Sequence, residues 1–196
     1  MKTNNSTWEK FNHALDSLVA DENLDFAGKF PFTAAMVSPL DRNTEMMKIR
    51  VSQIKSINDP EPNSIIEFGG AYGNLGVVYQ EINPDIEYTL VETQAMLKFA
   101  KVFFDVKQKQ AVLCCADRIE EVVKEYDLFC TYCAISETPE AYQDKVFKTF
   151  LPKCKSAMII EIPVNVPKYY EDIEILDAPP GHSDKHMIIF ATNRRK

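Results

Sequence analysis

Apolar positions along this chain repeat at helical spacing near the N-terminus and in short runs further on, and the change of period lays out the elements. Trp8, Phe11, Leu15 and Leu18 recur at helical intervals from Thr7 to Val19, with Ser6 or Thr7 able to cap the first turn. A stretch carrying Phe26, Phe30, Pro31, Phe32 and Pro39 follows. Met46, Met47, Ile49, Ile54 and Ile57, set among lysines, then predict a helix from Thr44 to Ile57 that Pro60 and Pro62 close off. Residues 1–62 therefore read as an N-terminal helical cap. Within it, Asp21 to Asp41 suits a lid and equally a static wrap around the domain.

From Ser64 onward the pattern is regular. Strands are predicted at 64–68, 88–92, 111–116, 127–133 and 157–162, separated by helices at 73–82, 94–104, near 118–125 and at 138–150. Parallel neighbours need a helical crossover between them, so this alternation predicts a doubly wound parallel sheet. After Pro163, residues 171–177 and 186–192 look like two more strands joined by Pro179-Pro180-Gly181-His182-Ser183-Asp184. That connection is too short for a crossover helix, so the two should pair antiparallel. The expected core, residues 63–196, is an α/β unit with a mostly parallel seven-stranded sheet and an antiparallel final strand.

The first of these strands empties into Gly69-Gly70-Ala71-Tyr72-Gly73, and the second ends on Glu92 about twenty residues later. Glycines serve a tight turn in which backbone approaches a ligand without a Cβ between them. A carboxylate at the end of the second strand is where a doubly wound sheet meets ribose hydroxyls. The dinucleotide fingerprint G-x-G-x-x-G fails in both registers, because Asn74 and Tyr72 occupy glycine positions. What stands is Glu67-x-Gly69-x-Ala71-x-Gly73, which resembles motif I of the class I S-adenosylmethionine-dependent methyltransferases, E/D-x-G-x-G-x-G, with Ala71 in place of the middle glycine. If that position needs a positive φ, alanine costs about 1 kcal/mol or more there.

The resemblance implies a set of cofactor contacts. Glu67 would engage the ammonium end of the methionine portion, and Gly69, Gly70, Ala71, Tyr72 and Gly73 would line that portion. Glu92, with Thr93 beside it, would take the ribose diol, and Asp117, Arg118 and Ile119 would flank the adenine, although Asp117 serves equally as an N-cap. Carboxylates around the turn suit a cationic sulfonium and repel a pyrophosphate.

A second likeness narrows the reading. Tyr72-Gly73, the run Tyr126-Asp127-Leu128-Phe129, the exit Ser136-Glu137 and Tyr142 together resemble the sugar O-methyltransferases of polysaccharide gene sets. That family implies a hydroxyl acceptor, with Ser136 and Tyr142 beside it; Tyr132 could stack on a sugar ring and serves equally as a core aromatic. A hydroxyl needs a general base as the methyl arrives. Glu137, past the fourth strand, and His182, in the last turn, both belong to the edge where ligands bind. Glu137 is equally a first-turn acid and His182 equally an exposed loop residue, while His186 enters the final strand; Tyr169 and Tyr170 are further candidate sugar-stacking rings.

Charge and cysteine content remove other classes. With 22 basic and 29 acidic side chains the net charge is −7, which argues against nucleic acid and anionic membranes as partners. No stretch has the length of a membrane span or the apolar core of a signal peptide. The five cysteines, odd in number and mostly in apolar runs, read as reduced thiols of a cytoplasmic protein. Cys130 and Cys133 would point to opposite faces of a strand. Asp117, Glu137 and His182 could converge on magnesium, but their spacing does not demand it, so no metal is expected. The partners this reading admits are a small hydroxylated acceptor and a second copy of the chain. Its rivals are an N- or C-methyltransferase, a nucleoside-binding module without catalysis, and a nicotinamide oxidoreductase.

Overall fold

The computed structural model describes residues 44–56, 58, 60–161, 172–177 and 187–192, with backbone alone at 161 and in the last two stretches. The predicted helix from Thr7 to Val19, the segment Asp21 to Asp41, and Tyr169, Tyr170, His182 and His186 lie outside the described residues.

Seven strands form one sheet: β1 Ser64–Phe68, β2 Glu87–Glu92, β3 Val112–Cys115, β4 Tyr126–Tyr132, β5 Cys154–Glu161, β6 Asp172–Asp177 and β7 Met187–Thr192. Their order is β3-β2-β1-β4-β5-β7-β6. The first five are mutually parallel where they pair, and β7 runs antiparallel to both β5 and β6. Four helices accompany the sheet among the described residues: α1 over 44–56, α2 Asn74–Ile82, α3 Gln94–Val106 and α4 Glu140–Phe150.

Successive strand residues face opposite sides, so each strand feeds two cores. On one side Ile65, Leu90, Leu128 and Met158 meet Met47, Val51 and Ile54 of α1, Leu75 and Val78 of α2, and Leu97 and Phe104 of α3. On the other, Ile66, Val91, Phe129 and Ile159 pack with Val146, Phe147 and Phe150 of α4. The Phe129 and Phe150 rings stack at 5.7 Å between centroids. Burying a side chain of this size stabilises by about 1.5–3 kcal/mol, and coverage of both faces explains why the parallel strands read as continuous apolar runs.

Three details differ from the sequence expectation. The helix expected near 118–125 is a 3-10 helix, Ala116–Glu121, in which Arg118 leaves helical geometry (φ −127°, ψ 34°). Ile119 alone is buried there, and one apolar anchor does not stabilise a further helical turn. The fifth strand begins at Cys154 rather than residue 157, because Cys154 already pairs with Tyr126. Ile49, grouped above with the apolar residues of α1, is 57% exposed; the buried stripe runs through Met47, Arg50, Val51 and Ile54. Among the described residues no helix is long and apolar enough to cross a membrane.

Candidate functional site

The chain leaves β1 toward β2 and β3 on one side and returns through β4 and β5 on the other, so the strand order switches between β1 and β4. In an open α/β sheet a crevice opens at the carboxyl ends of strands at that switch. The glycine turn lies there.

Gly69 (φ 73°) and Gly73 (φ 82°) occupy the left-handed region, and so does Ala71 (φ 52°). The Gly69 N–H donates to the Val91 carbonyl at 2.9 Å, and the Gly73 N–H donates to the Gly70 carbonyl at 2.9 Å. Close approach excludes larger residues as well: a Cβ on Gly69 would stand 2.0 Å from the Ala134 Cβ, and one on Gly70 2.3 Å from Glu67 Oε2. The loops after β1 and β4 therefore touch. Ala71 tolerates its conformation at a cost of about 1–2 kcal/mol.

Glu92 straps this turn to the next element. Its Oε1 accepts from the Ala71 N–H at 3.1 Å and its Oε2 from the Thr93 N–H at 2.7 Å. Burial pushes its pKa up to about 7, opposed by those two hydrogen bonds and reinforced by the negative charges of Glu67 and Glu137. Thr93 caps α3 by accepting the Met96 N–H at 3.4 Å. Sequence and structure thus bring Gly69, Gly70, Ala71, Gly73, Glu92 and Thr93 together.

The remaining candidates make contacts within the fold. Glu67 is 3% exposed, accepts from the Tyr88 hydroxyl and lies against Gly70, so it braces the turn. Burial raises its pKa, against the hydrogen bond from Tyr88 and the nearby Arg50. Tyr72 packs its ring edge-on against Phe99 and Phe103 of α3, 5.9 and 4.9 Å between centroids. Ile119 has no exposed surface and belongs to the core on the α4 side. Asp117 and Arg118 are exposed beyond β3, and Arg118 pairs with Glu121 at 3.6 Å.

Beyond β4, Cys133 (φ 52°) turns the chain into the 3-10 helix Ile135–Glu137, which holds Ser136 half-buried and Glu137 exposed. The negative charge of Glu137 reaches Glu92 through space and adds the smallest share to the rise in its pKa. Tyr142 is committed to structure: its hydroxyl donates to the Ala116 carbonyl and its ring lies 6.2 Å from that of Phe68. Burial pushes its pKa up to about 12. Tyr132 lies under the Arg50 guanidinium. All five cysteines are free thiols, and the described residues contain no group of three or more His, Cys, Asp or Glu placed to hold a metal.

Two residues escaped sequence reading. Tyr88 gave no signal beyond an aromatic in a strand. Arg50 gave one: it falls on the apolar stripe of α1, three residues after Met47 and four before Ile54.

No protein-family model and no curated protein matches the chain. Solved structures do. A Nostoc punctiforme protein described as an O-methyltransferase superimposes with a TM-score of 0.62 at 12% identity, over 82% of this chain and 59% of its own. The methyltransferase domain of bacterial CtHen1-C gives 0.61 at 15% identity, over 77% and 98% respectively. Human N-acetylserotonin methyltransferase, solved in complex with SAM, gives 0.56 at 13% identity, over 79% and 54%. The chain spans little more than half the length of the first and third of these. Strand order, glycine turn and these likenesses together establish that the chain has the fold of the class I S-adenosylmethionine-dependent methyltransferases.

Proposed function

We propose that the protein is an S-adenosylmethionine-dependent methyltransferase that acts on a hydroxyl of a sugar or a similar small molecule in the cytoplasm. The observation that carries this reading is the strap from Glu92 to the Ala71 N–H at the topological switch point. The residues there fit the cofactor. Each Glu92 oxygen spends one lone pair on a backbone N–H, which leaves acceptor capacity for a ribose diol. Gly69 and Gly70 keep the turn free of side chains, and Asp117 stands exposed beyond β3 for the base.

When bound, S-adenosylmethionine supplies a methyl group on a sulfonium, whose C–S bond breaks as the acceptor oxygen bonds to the carbon. The protein's share is positioning and proton removal. Glu137, exposed in the turn that follows β4, takes the proton of the acceptor hydroxyl, a role worth about 10²–10⁴-fold in rate. His182 is the second candidate for that base. Tyr132 and Ser136 lie on the same exit from β4 and would contact the acceptor, while Tyr142 supports the wall behind it.

The test is release of S-adenosylhomocysteine in the presence of a panel of sugars, nucleotide sugars and small phenols, with mass spectrometry of the acceptor. Transfer to oxygen that Glu137→Gln slows about 100-fold or more, with cofactor affinity unchanged, supports the reading. Transfer only to nitrogen or carbon acceptors, with Glu137→Gln inert, would move it to the N- or C-methyltransferase alternative.

A further inference from the structure

Helix α1 places a buried cation against Tyr132, at the end of β4, that the chemistry above leaves unused. Arg50 is 7% exposed. Its guanidinium lies over the Tyr132 ring, 2.8 Å from the centroid, and one Nη donates to the Met47 Sδ at 3.4 Å, a weak acceptor. The Nε is buried and has no hydrogen-bond partner. Among the described residues no carboxylate stands within ion-pair distance of Arg50: it shares a side-chain hydrogen bond with the neutral Tyr132, while Glu67, itself bonded to Tyr88, acts on it only through space. Burial accordingly lowers the Arg50 pKa. A buried guanidinium short of an anion is costly, and a structure carries one where something else supplies the charge.

Strand register locates this cation. Thr131 pairs with Phe68, so Tyr132 stands level with Gly69, on the sheet face that Glu67 shares with α1. The Glu67 carboxylate underlies Gly70. Arg50 thus flanks the glycine turn on its α1 side, opposite the Glu92 strap. Its planar fork matches both oxygens of a carboxylate.

We propose that Arg50 receives the carboxylate at the amino-acid end of the cofactor, with Tyr132 holding the plane of the guanidinium and Nε supplying one of the two hydrogen bonds. This rests on the methyltransferase reading. A nucleoside ligand then spans the turn from Glu92 at its ribose to Arg50 at its acidic end.

Calorimetric titration of the full chain and of Arg50→Met with S-adenosylhomocysteine and with 5′-methylthioadenosine tests it, because the second nucleoside lacks the amino-acid end. Arg50→Met should weaken S-adenosylhomocysteine by about 10- to 100-fold and leave 5′-methylthioadenosine within about twofold. Arg50→Lys, which keeps the charge and loses the fork, should fall between the two proteins. The ligand-free melting temperature of Arg50→Met should equal or exceed that of the wild type, since the substitution removes an uncompensated buried charge. Equal weakening of both ligands, or of neither, overturns the role of Arg50. A wild-type chain that binds neither nucleoside overturns the cofactor reading itself.

Discussion

Ala71→Gly isolates the strain in the glycine turn. Ala71 sits at φ 52°, where an L side chain costs about 1–2 kcal/mol relative to glycine. Two effects oppose the relief. Glycine frees the unfolded chain by about 0.4–1 kcal/mol, and the Ala71 methyl, partly buried against Ala95 and Met96, forfeits about half of the roughly 0.8 kcal/mol of a buried methylene. The balance is a stabilisation of about 0.5 kcal/mol, or about 1–2 °C in melting temperature for a chain of this size. The bond from the residue 71 N–H to Glu92 survives the change, so ligand affinity should hold or improve. Ala71→Val goes the other way, because a β-branched residue at this φ is an outlier, and should lose about 2 kcal/mol or more. Urea unfolding followed by far-ultraviolet circular dichroism, with equal slopes required of all three proteins, reads both differences. A glycine variant less stable than wild type by about 1 kcal/mol, or a valine variant as stable as wild type, would refute the argument.

Other expectations follow from the same geometry. Gly70→Ala would drive a Cβ to 2.3 Å from Glu67 Oε2 and 2.8 Å from Leu90 Cδ1, and should cost about 1–3 kcal/mol in chemical denaturation; an unchanged midpoint would contradict the close approach. Tyr88→Phe removes the donor to the buried Glu67 carboxyl and should cost about 1–3 kcal/mol, with little further loss in the double variant Tyr88→Phe/Glu67→Gln if the pair acts as a unit. Glu92, with its pKa raised to about 7 from an ordinary 4.5, binds its proton more tightly folded than unfolded. Its contribution to stability is therefore complete below about pH 4.5 and lost as pH rises through about 7, up to a ceiling of about 3 kcal/mol that partial exposure reduces. Glu92→Gln should flatten that part of the stability profile. Ligand affinity runs opposite, since a ribose diol donates to the carboxylate: binding should weaken as pH falls below about 7, and a flat affinity between pH 5 and 8 would count against the assignment.

Much of this was legible in the sequence because the relevant signals are local. A parallel sheet buried on both faces writes itself as apolar runs, and Gly69 and Gly73 announce positive φ where they stand. Glu92 was legible for the same reason: it ends a strand at a fixed distance from the turn. The sequence did not reveal where Glu67, Tyr72 and Ile119 point, because side-chain direction there is decided by partners remote in the chain. Tyr88 draws Glu67 beneath the turn, Phe103 of α3 holds Tyr72, and the core on the α4 side closes over Ile119. Arg50 shows the limit most clearly. Its place on an apolar stripe marks it as unusual, but only the β1–β4 register brings it level with Gly69.

The central claim is that the crevice at Gly69–Gly73 and Glu92 binds S-adenosylmethionine. Isothermal titration of the purified chain with S-adenosylmethionine and S-adenosylhomocysteine, beside a folded Glu92→Ala control, tests it most directly. Saturable one-to-one binding of both, weakened about tenfold or more in the control, is the predicted result. No binding by folded wild-type protein would contradict the account and leave a methyltransferase fold whose glycine turn serves the architecture alone.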